Sequence, residues 1–451
     1  MKKYSLLAIL SLWLVSLSAQ SPTFNKAKLD QYLDVLEKHN KFSGAVVLRH
    51  ADEVVYERYV GKRSLKNEYA EINADTKFRV GSITKSLTAA IIFQLIEEGK
   101  LSLDSTIDTY LPNVVNADKI TIQQLLSHSS GIHNLTADDS FRKIMENPHT
   151  REELEGLINE MGADFEPGVR QSYSNSGYIA LGLILEEVTG KDYSELIEDR
   201  IIEPLGLMNT EYGDKIEPEK NEAVPLVIKK DKWTKFEAET NMSIPFAAGA
   251  LVSTARDLTK FYDALLNGEI VSSESVEKMK VSIGGPYAHG LFQFPFYDRI
   301  AFGHNGGIDS FSASGAYFEE DDLALSYTSN GVNTNPNNIL IGVLSIYFGK
   351  DFEIPEYDIK PIKLSKDVLA KYAGIYSSAQ LPFELTITVE DGKLMGVATG
   401  QSKIELSPLS EVKFVYVPAE LVIEFNTIDD QVDYTTLILK QGGGEFTFKR
   451  K

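Results

Sequence analysis

The 451-residue sequence contains no cysteine and only two tryptophans. Without cysteine there can be no disulfide and no thiolate-bound metal. The residue that a lipid anchor needs directly behind a leader is missing too. No basic stripe interleaved with aromatics occurs: 45 Lys and Arg are outweighed by 65 Asp and Glu, a formal net charge of −20. Such a balance repels nucleic acid and anionic membrane surfaces. Neither H-E-x-x-H nor H-x-H-x-D-H is present, so no metal site is expected. His128 and His133 stand five apart around a glycine-containing turn, and His128 reads as packed or hydrogen-bonded beside the cleft. No cofactor is expected.

A membrane-spanning run is absent as well. In "MKKYSLLAILSLWLVSLSAQ" the apolar stretch Leu6 to Leu17 falls short of the roughly 20 residues that a bilayer requires. Two lysines ahead of it and small residues at Ser16, Ser18 and Ala19 give the layout of a signal peptide over residues 1–19. The expectation is a periplasmic or secreted protein with no membrane anchor after cleavage.

What is present follows a clear order. A helix is expected around Lys26–Lys38. "FSGAVVLRHADEVVYERYVG" then reads as a hairpin turning at Ala51–Asp52. A mostly helical stretch runs to about Leu266, and strand character returns through "RIAFGHNGG", "FSASGAYFEE" and "DLALSYTSNG". Strands at both ends with helices between them predict an α/β (α+β) sandwich over residues 24–350. A linker over 351–362 precedes residues 363–451, where a short helix leads into period-two runs with an Asp391–Gly392 turn. That pattern predicts a small all-β domain, curled toward a barrel.

Three segments carry chemistry. In "FRVGSITKSLTAAIIFQLIEEGKL" Ser82 stands at the mouth of an apolar helix, with Lys85 one turn on. Serine is a common helix cap, and S-x-x-K recurs at Ser140/Lys143, Ser275/Lys278 and Ser410/Lys413. Only the Ser82 helix is apolar enough to be buried, which is what a lysine needs in order to lose its proton. Tyr173-Ser174-Asn175, the single Tyr-x-Asn of the chain, enters a helix from a loop. Taken alone it also reads as a core tyrosine beside a cap. His304-Asn305-Gly306-Gly307 ends an apolar strand run. Paired glycines there permit a close backbone approach, although a turn with a surface histidine fits as well.

Jointly, the chain resembles the penicillin-recognising serine hydrolases, whose motifs are Ser-x-x-Lys, Tyr-x-Asn or Ser-x-Asn, and Lys-Thr-Gly or His-x-Gly. It looks most like the branch of class C β-lactamases, D-alanyl-D-alanine carboxypeptidases, D-aminopeptidases and related esterases. "LLSHSSGI", "EPGVRQSYSNSGYIALG", "PLGLMNT" and "AAGALVSTARDLTKF" agree with that branch. The resemblance spans Phe24 to Lys350 and implies a β-lactamase/transpeptidase-like sheet with a helical insert. The tail is similar to small lipocalin-like modules.

It implies Ser82 as nucleophile, Lys85 as its base and Tyr173 as proton relay. Asn175 would hold Lys85 and bind the substrate carbonyl. His304 and Asn305 would face the substrate along a strand continued by Gly306, and the N–H groups of Ser82 and Gly307 would form an oxyanion hole. An imidazole where relatives often carry lysine favours a D-amino-acid peptidase or esterase over a β-lactamase. The implied partner is a small-molecule or peptide substrate: a D-amino-acid peptide, an ester or a β-lactam. A slow-deacylating receptor and a transferase are the other readings.

Overall fold

The computed structural model describes residues 24–66, 71–442 and 444–451. The signal-peptide reading, on residues 1–19, lies outside them.

Helix α1 (Lys26–Lys38) is capped by Asn25, whose side chain accepts from the Lys28 amide. Strands β1 (Phe42–His50) and β2 (Glu53–Val60) form the expected hairpin. Its turn residues Ala51 and Asp52 both have positive φ, 47° and 65°, as a two-residue hairpin turn requires. Next come α2 (Thr84–Glu97), α3 (Asn175–Thr189) and α4 (Ala255–Leu266). After them run β3 (Phe292–Phe296), β4 (Arg299–Ile308), β5 (Phe311–Phe318), β6 (Leu323–Val332) and α5 (Pro336–Tyr347).

The six strands make one antiparallel sheet in the order β2-β1-β6-β5-β4-β3. β1 and β6 are buried almost throughout because both faces of the sheet are covered. Alternation along β6 divides the two cores. Leu323, Leu325 and Tyr327 pack with α1 and α5 on one face. Ala324 joins the larger core that α2, α3 and α4 build on the other. This is the α/β sandwich with a helical insert that the sequence predicts.

The helical middle contains strand pieces that periodicity does not reveal. Phe78–Arg79, Leu251–Ser253 and Glu211–Tyr212 form a three-stranded sheet, and Leu226–Lys229 pairs with Lys232–Lys235. Two to four residues are too few for alternation to register.

Towards the C-terminus the helix α6 (Lys366–Tyr372) precedes eight antiparallel strands that close into a barrel, Gly374–Ser377 pairing with Gly444–Arg450. Asp391 and Gly392 again show positive φ, 49° and 78°. Tyr372, Tyr376, Phe414, Phe425 and Phe448 fill the interior. The barrel meets the sandwich on its α1/α5 side, across a cavity of about 560 Å³. There Glu420 accepts from Thr334 Oγ1 (2.6 Å), Tyr357 Oη (2.5 Å) and Asn338 Nδ2 (2.5 Å).

Glu420→Ala strands those three donors, so a loss of about 1–3 kcal/mol is expected. Thermal melting of the variant should fall, and proteases should cut more readily within residues 351–362. Unchanged melting and an unchanged cleavage pattern would show that the contact does not hold the barrel in place.

Candidate active site

Ser82 does not cap the buried helix. It lies in a 3₁₀ turn, Gly81–Ile83, that precedes α2, and neither element has a side-chain cap bond at its start. The cap reading is corrected for a physical reason: the hydroxyl is already engaged elsewhere. Ser82 Oγ lies 3.1 Å from Lys85 Nζ and accepts from Tyr173 Oη at 2.7 Å.

Lys85 is completely buried on the first turn of α2. Besides Ser82, its amine reaches Asn175 Oδ1 at 2.7 Å and the Ala248 carbonyl at 2.6 Å. All three oxygens are neutral. Burial pushes the amine well below the ordinary lysine range. An uncharged amine has two N–H groups and one lone pair. The two shorter contacts use the N–H groups, and the lone pair is left for the Ser82 proton.

Tyr173 arrives from the loop before α3, whose cap is Ser174 accepting from the Gly177 amide. Burial raises the Tyr173 phenol above its usual value, against a smaller lowering by Ser82, so it remains a proton donor at neutral pH. Its ring packs on His128 with centroids 4.4 Å apart, and on Tyr287 at 5.8 Å. His128 takes the packed role read from the sequence. Its Nδ1 accepts the Ser174 amide, which ties the ring to the start of α3. His133 pairs instead with Asp164 and Asp138.

Asn175 is committed at both ends. While Oδ1 accepts from Lys85, Nδ2 donates to Thr136 Oγ1 (2.8 Å) and Asn134 Oδ1 (3.3 Å). This favours holding Lys85 over binding a substrate carbonyl, because either amide hydrogen would have to leave a partner first. Asn134 and Thr136 were not legible as site residues. They come two and four residues after "LLSHSSGI", and their role depends on how that loop folds back to α3.

The His304 segment borders the same group. β3 pairs with β4 only as far as Gly303, so from His304 onward β4 has a ladder partner on its β5 side alone. The other edge abuts the Ser82 turn. A Cβ on Gly306 would lie 1.8 Å from the Val80 carbonyl, and one on Gly81, whose φ is +51°, 2.8 Å from the Gly307 nitrogen. Only glycine permits this approach.

His304 is 2% exposed, contrary to the surface-turn alternative, while Asn305 is exposed. The His304 imidazole meets Phe292 edge-on at 4.5 Å and lies 6.4 Å from the Tyr173 ring. Burial first, and the Lys85 charge second, push its pKa down to about 3. Since burial is the larger cause, the ring stays neutral even beside an uncharged Lys85.

Among the described residues no group of three or more His, Cys, Asp or Glu could hold a metal. None of their helices is long and apolar enough to cross a membrane.

The beta-lactamase family profile matches residues 28–342. A penicillin-binding protein of Bacillus subtilis (strain 168) is 26% identical over 450 residues, covering 93% of this chain and 98% of its own. The octameric penicillin-binding protein homologue from Pyrococcus abyssi superposes with a TM-score of 0.67 at 26% identity, over 94% of this chain and all of that one. The D-amino acid amidase from Ochrobactrum anthropi SV3 does so at 0.65 and 25% identity, over 72% of this chain and 99% of its own. With the profile covering well over half its length, the chain belongs to the beta-lactamase family and is a serine hydrolase related to the penicillin-binding proteins.

Proposed function

We propose that Ser82 attacks the carbonyl of an amide or ester of a D-amino-acid-type substrate and forms an acyl-enzyme. The observation that carries this reading is the double engagement of one hydroxyl: Lys85 Nζ at 3.1 Å and Tyr173 Oη at 2.7 Å. As the Ser82 Oγ–carbon bond forms, its proton passes to the Lys85 lone pair. Tyr173 protonates the leaving nitrogen or oxygen as that bond breaks; in the second half-reaction it regains a proton from the attacking water, and Lys85 returns its proton to Ser82 Oγ as the acyl–oxygen bond breaks. Asn175 holds Lys85 in register. The N–H groups of Ser82 and Gly307 stabilise the oxyanion, each donor worth about 3 kcal/mol in the transition state.

The neutral, buried His304 supports a substrate that needs no fixed cation for a carboxylate. A peptidase or esterase fits that better than a dedicated β-lactamase, and the likeness to a D-amino acid amidase agrees. The leader pattern at the N-terminus supports export to the periplasm or beyond the cell.

Purified protein is to be tested against p-nitrophenyl esters, D- and L-amino-acid amides, D-Ala-D-Ala peptides and nitrocefin. Turnover of D-amides or esters at least about tenfold above nitrocefin is expected, since tenfold is only about 1.4 kcal/mol of transition-state preference. Nitrocefin as the best substrate would make the protein a β-lactamase, and a burst without steady state would make it an acyl-trapping receptor. Ser82→Ala should abolish labelling by a fluorophosphonate or penicillin probe; undiminished labelling removes Ser82 from the chemistry.

The lowered Lys85 pKa has a stability signature. Between its folded value and the ordinary value near about 10.4, the unfolded chain binds the extra proton, so stability rises with pH across that window. Below it both states are protonated and the folded state bears the full desolvation cost. Lys85→Met lacks this dependence. Urea titrations from pH 6 to pH 10 should show the stability of wild type gaining on the variant by up to about 1.4 kcal/mol per pH unit. A gap independent of pH would mean that Lys85 has an ordinary pKa.

A further inference from the structure

Arg79 and Asp309 form a buried ion pair that the steps above do not use, and each stands close in sequence to one of the two oxyanion donors. Arg79 is three residues before Ser82, and Asp309 is two after Gly307. Their side chains are 2% and 1% exposed, with Arg79 Nη1 donating to Asp309 Oδ2 at 2.6 Å. Arg79 also donates to the carbonyls of Thr240 and Asp214, each at 2.9 Å, and to Glu239 Oε1 at 3.2 Å. Thr240 gives the Asp309 carboxylate two more donors, its amide (3.0 Å) and its hydroxyl (2.6 Å).

A pair so deeply buried is a weak way to stabilise a fold, because desolvating both charges offsets most of their attraction. What it does supply is direction. The guanidinium is a rigid planar fork, and here it joins the short strand leading into the Ser82 turn to the β4–β5 turn. Asp309 and Ser310 of that turn both have positive φ, 49° and 70°. Between these anchors the two backbones touch at Gly81/Gly307 and Gly306/Val80. The ion pair therefore lies at the end of the one interface whose spacing sets the distance between the two amides.

We propose that Arg79 and Asp309 are positioning residues that fix the amide of Ser82 relative to that of Gly307. The inference rests on the reading of those amides as the oxyanion hole.

The test uses the full chain and a p-nitrophenyl ester that the wild type turns over, with an arylboronic acid as tetrahedral probe. Breaking one partner strands the other charge, so the central variant is the double Arg79→Met/Asp309→Leu, in which apolar side chains replace both. It leaves the Thr240 and Asp214 groups that bonded the pair without partners, so it is expected to melt below wild type yet, where folded at the assay temperature, to show kcat about 100-fold down, the scale of a misplacement near 1 Å. Boronate affinity should fall in parallel, with KM changed less than about threefold on the ground that uniform binding is untouched. If the double variant does not fold, the same measurements are read on Arg79→Lys, which keeps the charge but not the fork. A folded variant with kcat and boronate affinity within about twofold of wild type, less than 0.5 kcal/mol, overturns the proposal. A wild type that neither turns over an ester nor labels at Ser82 overturns the hydrolase reading instead, so the two failures are distinct.

Discussion

An amine sealed among neutral oxygens is the constraint from which the rest of the site follows. Lys85 has three polar contacts, to Ser82, Asn175 and the Ala248 carbonyl, and none is charged. A protonated lysine there would need an ionic partner to offset its lost hydration. The free base needs only two acceptors and one donor. Ser82 can be that donor because its oxygen is itself held by Tyr173. One protonation state satisfies every member of the chain, and it is the state that makes the hydroxyl a nucleophile.

The fold meets this constraint from three directions. α2 brings Ser82 and Lys85 one turn apart, α3 opens beside them to bring Tyr173 and Asn175, and the free end of β4 forms the third wall. Early termination of the β3–β4 ladder at Gly303 matters as much as the glycines that follow. Had β3 continued, the edge now lying against the Ser82 turn would have been covered by another strand.

Much of this was legible in the sequence. Ser82, Lys85 and Tyr173 could be named through the family resemblance that the three motifs carry jointly, and the apolar helix behind Ser82 set its S-x-x-K apart from the other three. The sandwich and the barrel followed from period and element order. The remainder depends on contacts that spacing does not encode. That His304 is buried reflects the rings of Phe292 on the neighbouring strand and of Tyr173, more than a hundred residues away in the chain. The occupation of the Asn175 amide is decided by a loop about 40 residues upstream. Arg79 and Asp309 carry no signal of their own in the sequence, since nothing local says that 230 positions apart they meet.

The order of strands also bears on how the polypeptide is made. β1 near the beginning pairs with residues 323–332, and the barrel closes only through Gly444–Arg450. A nascent chain therefore carries the first hairpin with one long, apolar edge unpaired until most of the protein has been synthesised. Such edges recruit other strands, and contacts so distant form slowly. Closing the sheet is thus a late event in folding, reached only once residues 323–332 are available to cover that edge.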